Sequence, residues 1–324
     1  MKNRSILSLF VACLLLASLI VIPSCAGSTK NSDSSASRDA GQVDTEPADG
    51  AKWAGIRVSS YGMEDSFGEG KFPKVKTMSG FAQKMADRYE GSTGTFILIV
   101  GVVSESEWTC RLDFPLSREI DMVQGRDEDF YEAYLKAFDK AGYSVWLQVE
   151  PGNADLVALA TEVMNHYKNH PCVKGFGIDV EWYRPAGTRG YGTKLDEDLA
   201  AQVLEAVRAV NPDYTVFVKH WDNKWLPDAM DGLIYVNDSQ GFRGGRSASA
   251  LDKMKEEFSA WAFYFDPCPV MFQIGYEADE GIWGEMENPA KELGAAILDA
   301  CYTDNDKGII WVDFTLADVI DKGK

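Results

Sequence analysis

Histidine is nearly absent, with three in 324 residues, and the cysteines form no CxxC pair or other metal-ligand spacing. His166 and His170 have the i, i+4 spacing of a helical metal pair, but no third ligand is in view. A solvated helix end, favoured by the helix dipole, accounts for them better. No metal or other cofactor is therefore expected. Basic charge is also short: 32 Lys and Arg face 50 Asp and Glu, for a net charge of −18. Nucleic acid and anionic membrane are bound by clustered Lys and Arg, so neither is an expected partner. A neutral or cationic ligand suits the balance, which also confers solubility. The chain lacks a phosphate loop or dinucleotide fingerprint near its first strand–helix turn, which weighs against a nucleotide-binding open sheet.

One long apolar run exists, over residues 6–22, and its 17 residues fall short of the ~20 that span a bilayer. Lys2 and Arg4 precede it and "IPSC" follows. This reads as a targeting segment over residues 1–25. Its end resembles a bacterial lipoprotein cleavage box, with Cys25 the lipidated residue, although Ile22 and Pro23 depart from the usual pattern. Residues 26–50 carry no aromatic and little to bury, so they read as a disordered linker. The expectation is a lipid-anchored protein of the bacterial cell envelope, facing outside the cytoplasm and touching membrane only through that anchor. Beyond the leader Cys13 and Cys25, four cysteines remain: Cys110, Cys172, Cys268 and Cys301. Outside the cytoplasm they are open to pairing; their scatter equally suits buried free thiols.

From residue 51 to 324, β-prone runs alternate with helix-patterned ones. The strand-like runs cover 53–60, 94–103, 143–151, 172–182, 214–221, 231–238, 269–276 and 307–314. Amphipathic spacing marks helices over 74–90, 127–142, 153–170, 196–210, 250–264 and 288–302, with Asn153 as an N-cap and Gly142 as a stop. "KWLPDAM" reads as a short turn or helix. Strict βα alternation calls for a parallel sheet, and eight units in this length match an α/β (β/α)8 TIM barrel of one domain. A doubly wound open sheet is the runner-up.

Such barrels keep their chemistry at the C-terminal strand ends. Those ends collect Ser59, Ser60, Tyr61, Ser104, Glu105, Gln148, Glu150, Asp179, Glu181, Lys219, His220, Tyr235, Asn237, Asp238, Gln273, Tyr276, Glu277, Trp311 and Asp313. Carboxylates and aromatics dominate, which suits a carbohydrate substrate. In "GFGIDVEWYRP", Asp179 and Glu181 stand two apart at the exit of the fourth strand. Two residues apart on a strand they would face the mouth together, Asp179 one layer deeper. Paired acids resist double ionisation, so one would hold its proton and act as general acid. A structural acid pair is the alternative. Lys219 raises a Schiff-base option, and His220 either bonds substrate or packs in the core.

"GIDVEWYRP" resembles the fourth-strand signature of family 18 glycoside hydrolases, an aspartate series ending in D-x-E before aromatics and a proline. Asp179 and Glu181 match its end, while its earlier aspartates fall on Lys174 and Gly177. "GIIWVDF" resembles that family's last strand, where a tryptophan floors the sugar site, which would be Trp311. "LIYVND" resembles its sixth strand, which would give Tyr235 and Asn237 or Asp238 the substrate's acetamido group. Gln273, Tyr276 and Glu150 complete the substrate-binding expectation. The resemblance implies retaining, substrate-assisted hydrolysis of N-acetylglucosamine-containing glycans, with Glu181 as general acid and Asp179 orienting the acetamido group. Two alternatives stand beside it: a two-carboxylate retaining glycosidase using Glu277 as nucleophile, and a non-catalytic carbohydrate-binding lipoprotein. Trp146, Trp221, Trp225, Tyr276 and Trp283 read equally as packing or as sugar platforms.

Overall fold

The computed structural model describes residues 50–185 and 191–323. The leader, the cleavage box with Cys25 and nearly all of the linker lie outside these residues. Among the described residues ten strands form: β1 Trp53–Val58, β2 Thr93–Ser104, β3 Thr109–Leu112, β4 Val123–Gly125, β5 Ser144–Val149, β6 Val173–Asp179, β7 Thr215–Lys219, β8 Leu233–Asn237, β9 Val270–Ile274 and β10 Lys307–Trp311. Eight of them, β1, β2 and β5 to β10, pair in parallel. Because β1 pairs with both β10 and β2, the sheet closes into a barrel. The fold is the (β/α)8 barrel.

Helices fill the gaps: α1 Ser60–Phe67, α2 Val75–Ala86, α3 Glu132–Ala141, α4 Leu156–Tyr167, α5 Glu197–Val210, α6 Ala250–Phe265, α7 Glu280–Trp283, α8 Pro289–Leu298 and α9 Leu316–Val319. Asp155, not Asn153, caps α4 by accepting from the Ala158 N–H, so that helix starts later than its pattern suggests. Gly142, at φ 71°, closes α3 in the left-handed conformation that costs glycine little. Between β7 and β8 the chain makes only a 3-10 turn at Asn223–Trp225. The β3–β4 flap has no counterpart in the alternating pattern. It extends β2 antiparallel at the mouth, where the Asn153 N–H donates to the Trp108 carbonyl at 2.7 Å.

The interior separates into two apolar layers, one between barrel and helices and a second inside the barrel. Trp53, Ile97, Trp146, Phe217, Ile234, Val236, Met271 and Ile310 make up the inner one. Trp53 and Trp146 meet edge to face at 5.3 Å, so Trp146 is core. Glycines make room for these rings. A Cβ on Gly177 would lie 2.1 Å from the Phe217 ring. The position where family 18 carries an aspartate is therefore filled from the next strand by Phe217. Lys174, at the other such position, is exposed and donates to the Pro171 carbonyl at 2.9 Å.

Candidate active site

Above the inner apolar layer, each strand exit contributes polar side chains. Strand alternation carries the inward parity of Phe217 on to Lys219, so an ammonium enters the mouth. Its Nζ lies 3.2 Å from Asp179 Oδ2 and 3.0 Å from Glu181 Oε1, and it also donates to Asp238 Oδ2. Gln148 Nε2 donates to the same Asp179 oxygen at 3.0 Å. Strand β6 ends at Asp179, and Glu181 sits in the 3-10 turn Val180–Trp182 that follows. The two acids therefore do not share a strand face; the turn brings Glu181 back over Lys219. Its side chain is 16% exposed, against 4% for Asp179 and 7% for Asp238, so Glu181 is the most open acid of the three.

Three carboxyls around one ammonium cannot all ionise cheaply in a buried place. Burial raises the Asp179 carboxyl to about 7, with Lys219 pulling down and Asp238 and Glu150 pushing up. Burial and the Asp238 charge hold Glu181 well above the ordinary carboxylate range, against the pull of Lys219. Burial also opposes ionisation of Asp238, but Lys219 and a hydrogen bond from Glu181 outweigh it and keep its pKa low. Burial disfavours the Lys219 ammonium, yet Asp179, Asp238 and Glu181 hold its pKa well above the usual value. A lysine kept protonated in this way is a poor Schiff-base nucleophile.

The opposite side of the mouth holds a second network. Arg57, buried on β1, donates through Nη2 to Asp313 Oδ1 at 2.6 Å and through Nη1 to the Tyr61 hydroxyl at 3.2 Å. Tyr61 in turn donates to Glu150 Oε1 at 2.8 Å, and the Val103 N–H donates to Glu150 Oε2 at 3.1 Å. Burial raises the Glu150 carboxyl, with those two donors opposing it. The Tyr276 hydroxyl donates to Gln273 Oε1 at 3.2 Å. Phe314 is half-buried there, its ring 5.9 Å from Tyr61 and 4.7 Å from the Arg57 guanidinium.

The structure thus gathers Asp179, Glu181, Asp238, Glu150, Gln273 and Tyr276 at one mouth. It places four other expected residues elsewhere. Trp311 has the parity of Ile309, facing the helices; it is fully buried, donates to Thr315 Oγ1 at 3.0 Å and packs on Trp283. It cannot floor a sugar site, and Phe314 is the aromatic that β10 delivers to the mouth. Tyr235 stacks on Phe265 of α6 at 3.8 Å and donates to the Asp228 carbonyl at 2.6 Å, outside the barrel. Asn237 shares that parity, and its Oδ1 accepts from the Ser239 N–H at 2.7 Å. Glu277 is exposed in a 3-10 turn.

The remaining candidates are structural. His166 of α4 pairs with Asp129 at 2.7 Å, and His170, just beyond α4, bridges Asp139 at 2.7 Å and Glu132 at 3.1 Å, so both tie this stretch to carboxylates in or just before α3. Burial lowers His220 to about 4, leaving a neutral ring whose Nδ1 accepts from the Asp222 N–H at 2.9 Å. Cys110, Cys172, Cys268 and Cys301 are free thiols. Among the described residues no group of three or more His, Cys, Asp or Glu is arranged to hold a metal ion. Lys219 was among the strand-end residues expected at the mouth, with a Schiff-base role open to it, whereas Arg57 and Phe314 were not among them. The signal available for Arg57 and Lys219 was a charge near the end of an otherwise apolar strand.

No family model and no curated protein matches this chain. Solved structures do. β-Glucuronidase 3 of Bacteroides uniformis is 13% identical, with 81% of this chain and 32% of that one covered and a TM-score of 0.44. The β-1,4-mannanase of the sea hare Aplysia kurodai is 12% identical, with coverage of 81% and 88% and a TM-score of 0.44. The GH2 β-galacturonidase of Eisenbergiella tayi is 14% identical, with coverage of 81% and 43% and a TM-score of 0.43. This chain spans about a third of the length of the first of these.

Proposed function

We propose that the protein is a glycoside hydrolase with Glu181 as its proton donor. One observation carries the reading: at the C-terminal mouth of a barrel, the most open of three clustered carboxyls is raised well above the ordinary carboxylate range by burial and the Asp238 charge, against the pull of Lys219. Phe314 and Tyr61 supply ring faces across the mouth from it, and Asp179, Asp238 and Glu150 supply acceptors for hydroxyls. The finer reading is a sugar carrying an N-acetyl group. Glu181 gives its proton to the glycosidic oxygen as the bond from that oxygen to C1 breaks. The acetamido oxygen attacks C1, forming an oxazolinium, with Asp179 facing the developing positive charge on nitrogen. The Glu181 carboxylate then takes a proton from water, whose oxygen attacks C1 as the bond from C1 to the acetamido oxygen breaks, which regenerates the acetamido group and restores the original configuration. A nucleophilic Glu277 is disfavoured by that residue's exposed position.

Turnover of chromogenic glycosides and N-acetylglucosamine polymers by wild type and Glu181→Gln is the test. The expected loss is about 10²–10⁴-fold, the usual worth of general acid catalysis, with a thiazoline inhibiting and a fluorosugar labelling nothing. Wild type and variant equally inert, yet binding sugar, would make this a carbohydrate-binding protein instead.

A further inference from the structure

The strand exits that carry Glu150 and Glu181 also border a cavity outside the mouth. It is an open surface depression of about 360 Å³, lined by the exposed side chains of Arg118, Asp121, Asn153, Asp155 and Arg184 and by the half-buried Ile120, among others. That volume lies at the lower end of the range for small-molecule sites, about 300–1,000 Å³. Asn153 comes three residues after Glu150, and Arg184 three after Glu181. The two exit segments are joined where Gly152 bridges Tyr183 and the Arg184 N–H donates to the Gly152 carbonyl at 2.8 Å. The cavity therefore begins where the acid-bearing turn ends.

Its walls are held in place independently of any ligand. Ser117 donates from N–H and hydroxyl to the buried Glu162 carboxylate, both at 2.6 Å, which fixes the segment leading into Arg118. The Asp155 carboxylate is engaged as the α4 cap, 2.8 Å from the Ala158 N–H. Arg184 is kept at φ 42°, a region that a non-glycine residue occupies only under constraint, with its guanidinium 5.2 Å above the Tyr183 ring. The lining mixes two guanidinium groups with acidic side chains, an amide and the apolar wall of Ile120. Near-balanced charge with dense donors and acceptors does not select an ion. It suits a neutral, hydroxyl-rich ring.

We infer that this cavity is a second carbohydrate subsite, holding a further sugar unit of an oligosaccharide whose scissile bond lies at Glu181. The inference rests on reading the mouth as a carbohydrate site. It makes the protein's ligand a chain rather than a single glycoside.

The test uses the full chain and N-acetylglucosamine oligomers of one to four units. Binding is measured calorimetrically to Glu181→Gln, and turnover to wild type, each with and without Arg118→Ala; matched thermal unfolding confirms that the variants fold. Affinity is expected to tighten with chain length, and Arg118→Ala to remove about tenfold from the longer oligomers alone, the worth of one charged hydrogen bond. Turnover or binding that ignores chain length, or an Arg118→Ala variant identical to its parent, overturns the subsite and leaves the mouth standing. Length-dependent binding lost in Arg118→Ala without any turnover supports the subsite and removes the hydrolytic reading. Neither binding nor turnover of any oligomer overturns both.

Discussion

Replacing Lys219 by methionine removes the cation at the centre of the acid cluster while keeping the side-chain length. At about 3 Å and an effective dielectric of about 20, each ammonium–carboxylate contact is worth about 5 kcal/mol of attraction, much of it offset by taking the charges out of water. Breaking a buried pair from one side costs about 3–5 kcal/mol net. Lys219 itself is held well above its ordinary value. Its contribution is thus complete below that ordinary value and lost only as pH rises through the folded one, so it is constant between pH 5 and pH 8. The pH dependence comes from the acids left behind. Without the ammonium, Asp179, Glu181 and Asp238 all titrate higher in the folded protein. A carboxyl raised by folding keeps its stability below the unfolded value and loses it as pH rises through the folded one. Lys219→Met is therefore expected to lose about 3–5 kcal/mol at pH 8 and under half of that at pH 5. Urea unfolding followed by tryptophan fluorescence at the two pH values measures it. Equal losses at both, or none at pH 8, would refute the account of the cluster.

The same reasoning with the sign worked for one acid predicts that Asp179→Asn stabilises the fold. Asp179 is raised to about 7, so its cost appears as pH rises from about 4 to 7 and is constant above. The gain in thermal unfolding should be about 1–3 kcal/mol at pH 8 and vanish near pH 4, while glycoside turnover falls. Trp311→Ala should cost about 3–5 kcal/mol of stability as a core truncation, whereas Phe314→Ala should leave stability nearly unchanged and raise KM; a Trp311 variant of normal stability and raised KM would reverse that assignment. Gly177→Asp, which introduces the aspartate that the family 18 signature carries at that place, should destabilise by at least about 3 kcal/mol through overlap with Phe217 and an unpaired buried charge, as chemical denaturation would show; a stable variant would mean that Phe217 can move aside.

The eight barrel strands lie where the alternation of β-prone and amphipathic runs puts them, because hydrophobic period is a local property. The exits of those strands follow from the same pattern, so Asp179, Glu181, Asp238 and Glu150 were legible as mouth residues. Facing was not legible. A parallel barrel buries both faces of every strand, so "GIIW" and "LIYV" are apolar on both sides and carry no mark of inward or outward. Barrel closure set that parity, sending Trp311 and Tyr235 to the helices and Ile310 and Val236 to the interior. It also put Phe217 across from Gly177 and brought Lys219 within reach of three carboxyls contributed by neighbouring strand exits. The linear chain by itself determined the scaffold and which ends of it carry acid. Only the tertiary structure decided which acids share a proton and a cation, because that depends on distances across strands far apart in sequence.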